Sequence, residues 1–556
     1  MAVLNIRDIQ GKTLYSEHDG NFVTTQGVVI GILRKGFYLQ TPDADWDGQR
    51  SDAIFIFGDS SKVQLGYHVQ VAGECVNYLK HATARPVTQL KMQTLFLIEE
   101  TGPQINPIVL TAELLPDDGA ALTHRLNSLE GMLVTLPKGA IFIAPSNPFG
   151  DYVCALPHHF QAPGITRTHE GGIIVDGERS ESWFPGFRLP DYALARKVNV
   201  GDTLLSDVSG PLHYRVDSWQ IAASQAFDVD HTPLPLTQSE LKPSNGAITV
   251  LTLNCFNLDP HIESPAKVNH PRLDVDDDWG DARFHTLVQA IVLQANLPDV
   301  IALQEIQDND GAEITGITSA SNTYKALIEL IKILAGKTYG WVDIPPEDGA
   351  DGGQPGGNIR NAYLYNTERV RLDRTSVQRI GDDEACFIDS RKALAARFEE
   401  LSSGQGLTLI NVHLVSKRQQ HSLFAPENPG LDPRENIRIA QAEVITRFTQ
   451  TLSQQGQPFY ITGDFNDTEH SATLQAFTGT ANANLVLTLP PAQRFDYNHR
   501  GKLQVLMHGV MPKALLEAGK VAYEIIHGNE LIGVEPGTQS DKPSDHAYVI
   551  AKIQLT

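Results

Sequence analysis

The feature that most constrains this chain is a change of hydrophobic period near residue 245. Before it, short runs alternating apolar and polar residues are separated by glycines and polar turns; after it, apolar runs of strand length are interleaved with stretches whose apolar residues recur at helical spacing. The first pattern belongs to small closed β-sheets and the second to layered α/β domains. At 556 residues the chain is also too long for one ordinary domain. An all-β half followed by an α/β half is therefore expected.

In the first half, runs at 22–30, 36–40, 53–57 and 67–73 and an alternating start at 1–10 predict an OB-like β-barrel over 1–100. Its aromatics Phe37 and Tyr38 either stack bases on a groove face or fill the barrel. Residues 101–240 read as a second β-barrel with long insertions. Within it, 157–188 carries His158, His159, Arg167, His169, Arg179 and Arg188 without ligand spacing and is expected as a surface loop. Proline, serine, threonine and glycine thicken into a linker over 233–245.

The α/β half, 246–556, has apolar runs at 248–254, 299–305, 362–365, 393–398, 407–414, 458–462 and 547–553, with helical spacing over 282–296, 323–335 and 434–452. Their ends collect Asn254, Glu305, His413, Asp464, Asn466, Asp545 and His546. In Gly463-Asp464-Phe465-Asn466, Gly463 is expected to turn the chain while Asp464 and Asn466 emerge on one face, because strand residues i and i+2 point the same way. A plain Asx turn after a core strand accounts for the same four residues. Taken together, however, the set has hard oxygen ligands for a divalent cation, carboxamides for phosphate and imidazoles for proton transfer. Metal-assisted phosphoester hydrolysis is the chemistry it fits.

Charge and cysteine usage narrow this further. A formal charge of −22 makes the chain as a whole repel polyanions, so any nucleic-acid contact must rest on bound cations and local basic residues. Cys75, Cys154, Cys255 and Cys386 form no close pair, which points to free thiols. No run is long and apolar enough to span a bilayer, and residues 1–10 lack the features of a signal peptide, leaving an internal protein or a mature form.

Several motifs now resemble, in family order, the endonuclease/exonuclease/phosphatase superfamily: Thr252-Leu253-Asn254, Ala302-Leu303-Gln304-Glu305-Ile306, Asn411-Val412-His413-Leu414, Gly463-Asp464-Phe465-Asn466 and Ser544-Asp545-His546. Asp8-Ile9-Gln10-Gly11, Gly36-Phe37-Tyr38-Leu39-Gln40 and Glu130-Gly131-Met132-Leu133-Val134 are similar to bacterial extracellular nucleases that carry OB-like barrels ahead of that domain. The resemblance implies a four-layer α/β sandwich preceded by two all-β barrels, and an extracellular or periplasmic location. It implies Mg²⁺, or Mn²⁺ or Ca²⁺, held by Glu305 with Asn254 and Asp545. Asp464 would activate or orient water, Asn466 and Arg391 would bind phosphate, and His546 and His413 would serve its two sides. The substrate implied is nucleic acid, with no membrane partner.

One position departs from the pattern. The family expects an Asp that hydrogen-bonds the second histidine, and Met507 stands there; Asp496 is a candidate stand-in. Three readings follow: a nuclease on DNA or RNA, weakened if nothing replaces the carboxylate; a phosphoesterase on a small or lipid phosphoester; or a non-catalytic nucleic-acid-binding relative. Elsewhere, 274–280 is similar to a Ca²⁺ loop, but its Gly280 is one place late for an EF-hand and the twelfth position is His285, so a solvated acidic loop is expected; 345–357 is expected as a mobile loop, and Lys417, Arg418 and His421 as either a basic patch or a solvated loop.

Overall fold

In the computed structural model, which describes residues 2–42, 46–116, 119–176, 183–234, 237–540 and 542–556, five strands close a barrel at the start of the chain. They pair in the order Phe22–Leu33, Gly36–Gln40, Ala53–Phe57, Val87–Glu99, His68–Tyr78 and back to the first. The alternating start is not a strand. Ile6–Gln10 is a short helix, because Ile6 and Ile9, at helical spacing, both bury in the barrel core. Phe37 also fills that core, and Tyr38 is 2% exposed with its hydroxyl 2.5 Å from His213 Nδ1. Neither ring is free to stack on a base, so the groove-face reading is withdrawn.

Residues 101–240 are mostly β, with a helix at Gly119–Ser128. Nine of the described strands there form one sheet, from Val229–Asp230 at one end to Ile108–Val109 at the other, around a core that includes Phe142, Tyr152, Phe187, Trp219 and Phe227. The expected surface loop is partly folded inward: Pro157–Gln161 is a 3₁₀ turn whose His159 is 5% exposed and accepts the Leu156 N–H, and Ile165–Arg167 pairs with Ile173–Val175. Arg179 lies outside the described residues. The chain divides into two units at Thr232/Pro233, with residues 419–432 and 533–538 grouped with the first.

The second unit is a four-layer sandwich. One six-stranded sheet runs Tyr339–Asp343, Arg360–Asn366, Val300–Ile306, Ala247–Leu258, Tyr548–Gln554, Val521–Ile526; the other runs Val370–Ile380, Ala393–Glu400, Gly406–His413, Phe459–Asp464, Met507–Pro512, Asn482–Asn484. Period-two burial explains the layers. Ile248 and Val250 face the core between the sheets, whereas Leu251 and Leu253 face the helices Arg283–Gln289 and Ser321–Ala335. On the other sheet Leu407 and Leu409 face inward, and Ile410 and Val412 meet the helix Glu435–Gln454. That helix buries Arg438, Gln441, Ala442, Val444, Ile445, Thr449 and Leu452, all but Val444 on a single stripe. Both sheets are therefore buried on two faces, and their central strands read as continuous apolar runs.

Two loops differ from expectation. The 345–357 stretch is pinned, with Lys392 Nζ 2.7 Å from Asp351 Oδ1 and Gln354 Nε2 3.1 Å from Asp274 Oδ1. In the acidic loop, Asp274 and Asp278 are 7% and 1% exposed while Trp279 and Gly280 face solvent, so it is solvated only in part. The four cysteines are unpaired. Among the described residues no helix is long and apolar enough to cross a membrane.

Candidate active site

Glu305 reaches the site because its strand is irregular there. Asn254 pairs with Gln304, but the next pairing is Leu258 with Ile306; on the other edge Leu303 pairs with Ala362, and the next is Ile306 with Arg360. Glu305 sits in this bulge with φ +53°, a left-handed conformation rare for a non-glycine residue, and bulges re-aim the side chain they carry. Asn254 holds it. The Asn254 Nδ2 donates to Glu305 Oε1 at 3.0 Å and to Asp464 Oδ2 at 3.3 Å, while its Oδ1 accepts the Phe256 N–H at 2.9 Å. Asn254 thus enters through its nitrogen and bridges two carboxylates.

The second sheet brings His413 and Asp464 side by side as the last paired residues of parallel neighbours. Gly463 does not turn the chain. It lies inside the strand at φ +136°, where a Cβ would collide with the Val412 carbonyl oxygen, so glycine lets the two strands approach. Asp464 Oδ1 accepts the Asn466 N–H at 2.8 Å, so the Asx turn occurs. Asn466, at φ +52°, donates from Nδ2 to the Leu414 carbonyl at 3.0 Å, and Arg391 Nη2 donates to that same carbonyl at 3.0 Å. One backbone oxygen therefore holds both side chains expected at a phosphate. The buried Arg391 Nε has no hydrogen-bond partner.

His413 Nε2 lies 3.7 Å from Glu305 Oε1 and 3.8 Å from Asp464 Oδ2; His546 Nε2 lies 3.8 Å from the same Asp464 oxygen and 4.0 Å from Asp545 Oδ1. On the far side of the ring, His546 Nδ1 is 3.3 Å from Asp496 Oδ1. Asp496 is fully buried and accepts backbone N–H groups from Leu506 at 3.1 Å and Met507 at 2.6 Å. Met507 itself packs between the sheets. The carboxylate absent at 507 comes from 496 instead. Tyr497 stacks on the His546 ring at 4.8 Å.

The two imidazoles differ in charge. Burial lowers the His546 pKa, but Asp545, the Asp496 hydrogen bond and Asp464 outweigh it and raise the group to about 10. His413 moves the other way: burial, then the charges of Arg391 and His546, push it well below the ordinary histidine value, so its ring is neutral. Burial first, and then Asp545, raises Glu305 to about 7. Neighbouring carboxylates that resist ionising together fit a hard divalent cation. Glu305 and Asp545 are the residues that would hold it, with Asn254 fixing Glu305 in place.

All eight expected residues lie in the second unit and at one end of its sheets. Sequence reasoning missed Tyr497 and the polar ties beneath the site: Gln304 Nε2 to Asn411 Oδ1 at 2.6 Å, and Asn411 Nδ2 to the Leu303 and Ala362 carbonyls at 2.9 and 3.0 Å. Their only signal was a polar residue one or two places before Glu305 and His413. Lys417 is no free cation, since its Nζ lies 3.0 Å from Asp467 Oδ1.

A family model described as Endonuclease/Exonuclease/phosphatase family matches residues 251–518, and one for a domain of unknown function (DUF8508) matches residues 114–233. A search of curated proteins finds no match. Among solved structures, the human Nocturnin catalytic domain with bound sulfate anion is 16% identical with a TM-score of 0.37, over 56% of this chain and 96% of that one. An endonuclease/exonuclease/phosphatase from Bacteroides vulgatus gives 13%, 0.35, 56% and 99%, and truncated Caenorhabditis elegans TDP2 gives 14%, 0.35, 55% and 97%. With overall scores this low, the assignment rests on the family model and on the ordered strand-end motifs. Residues 251–518 thus match the model of the Endonuclease/Exonuclease/phosphatase family, the family whose motifs they carry in order.

Proposed function

We propose that the second unit is a metal-dependent phosphodiesterase whose substrate is DNA or RNA. The observation that carries this reading is the placement of Asp464 between two imidazoles of opposite character, His546 and His413, each 3.8 Å from its Oδ2. Hydrolysis joins a water oxygen to phosphorus, breaks the ester P–O bond, and moves one proton from water to the departing oxygen. Asp464, buried and held by Asn466 and Asn254, orients that water and accepts its proton. Protonated His546 donates a hydrogen bond to the phosphate, and Asp496 keeps Nε2 directed inward. Arg391 and Asn466 bind phosphate oxygens, a guanidinium being suited to a phosphodiester. His413 serves the opposite side as a neutral ring. A cation at Glu305 and Asp545 would supply neutralisation of the phosphate charge.

The test is nicking of supercoiled plasmid in Mg²⁺ or Mn²⁺ with a chelator control. Cleavage that vanishes in Glu305→Ala supports the reading. An inert protein that turns over a small phosphodiester instead selects the second reading, a small-substrate phosphoesterase, which the formal charge of −22 favours. Single-strand binding without cleavage of either substrate selects a non-catalytic relative. A location outside the cytoplasm belongs to the same proposal and is checked by fractionating expressing cells.

A further inference from the structure

A second group of carboxylates lies just beyond the strands that carry Asn254 and Glu305. One oxygen from each of Asp259, Glu263 and Asp276 lies within 4.8 Å of the others. Asp259 is completely buried; its Oδ1 accepts the His261 N–H, but its Oδ2 has no hydrogen-bond partner. That orphan oxygen points into the cluster. A Cβ built on Gly311 would stand 2.7 Å from it and would collide with Glu263 Oε1, so both oxygens converge on the same small space. Asp276 Oδ1 is likewise buried without a partner.

Little among the described residues offsets this charge: Glu263 accepts the N–H groups of Ala312 and Asp276 at 3.2 Å. Among the described residues the one ion-pair partner of the three is Arg283, whose Nη1 is 3.9 Å from Asp276 Oδ2. Arg283 is already bound to Asp278 and to the carbonyls of Cys255 and Phe256. An uncompensated buried carboxylate is costly to leave unpaired. His261 Nε2 is committed to Glu313 at 3.2 Å, so no imidazole is offered.

We propose that Asp259, Glu263 and Asp276 form a Ca²⁺ site, separate from the residues at the strand ends. An all-oxygen set of protein carboxylates suits Ca²⁺, whereas Mg²⁺ keeps most of its waters and is seldom held by a dedicated protein cage. The ion bridges the loop after Leu258 to the acidic loop at 276, beside the Gly311 segment that follows Glu305. It therefore braces the loops into which the Asn254 and Glu305 strands run. The site does not depend on the reaction proposed above.

The experiment titrates Ca²⁺ alone into the chelator-stripped full-length protein and follows its melting temperature. Terbium luminescence sensitised by Trp279, three residues from Asp276, is the second readout. Saturating Ca²⁺ is expected to raise the melting temperature of the unmodified chain and of Glu305→Gln by about 5 °C. Asp259→Asn is expected to lose both signals yet, stripped of metal, to melt no lower than the parent, since it removes the uncompensated charge. Should that variant not fold, Asp276→Asn, at the more exposed position, takes its place. A parent chain indifferent to Ca²⁺, a response kept in the variant, or a response lost in Glu305→Gln overturns the proposal.

Discussion

Asp496 Oδ1 stands 3.3 Å from Nδ1 of His546, fifty residues away in the chain, and directs the opposite ring nitrogen toward Asp464. Asp496 is fixed in turn by the backbone N–H of Met507, the residue at which the sequence resemblance leads one to expect a carboxylate. Position 507 still serves the histidine, but through its main chain. Its thioether fills the core between the sheets.

Replacing Asp496 with Asn is expected to lower kcat by on the order of 10² to 10⁴ with a smaller change in KM, because the ring loses its orienting charge. Met507→Asp in the unmodified chain is expected to give no gain, since it buries a second carboxylate next to Asp496. In the Asp496→Asn background the same substitution is expected to recover part of the loss. Plasmid-nicking rates for the four proteins decide it, and equal rates for the parent and Asp496→Asn would remove Asp496 from the site.

The raised pKa of His546 has a stability signature. Its folded value, about 10, lies above the ordinary histidine value of 6.5. The stabilisation is therefore complete below about pH 6.5 and is lost as pH rises through 10. Over that window the melting temperature of the metal-stripped parent is expected to fall more steeply than that of His546→Asn. Parallel curves would show that the ring is not held protonated.

How much of this was legible in the sequence depends on range. The strand ends carrying Glu305, His413, Asp464 and His546 were readable because each apolar run is bounded by a polar residue of the right chemistry. Asp496 follows a turn with no periodicity of its own, and only the fold brings it under His546. Gly463 looked like a turn former because sequence shows the absence of a Cβ but not the neighbouring strand that requires it. Phe37 and Tyr38 shared a strand whose two faces are both buried, so alternation could not say which ring faced out. The acidic loop read as solvated because acidic residues usually are, and the burial of Asp278 depends on Arg283 reaching across to it.

Gly463→Ala tests the close approach of the two central strands. A Cβ there meets the Val412 carbonyl rather than a flexible side chain, and φ +136° is foreign to alanine. A loss of about 3 kcal/mol is expected. Urea unfolding measures it, and a loss under about 0.5 kcal/mol would mean that the strands can part without cost.

Gln304 and Asn411 tie the Glu305 strand to the His413 strand through the interior, and each is completely buried. Removing Gln304 orphans Asn411 Oδ1, and removing Asn411 takes the side-chain donor from the Leu303 and Ala362 carbonyls, so Gln304→Leu and Asn411→Leu are each expected to cost about 1–3 kcal/mol. The double variant should cost less than the sum, because no orphaned partner remains between the two positions. The same cycle read in nicking rates separates alignment from stability. If the tie sets the spacing of Glu305 and His413, the double variant recovers stability without recovering rate; if rate returns with stability, the tie only holds the sheets together.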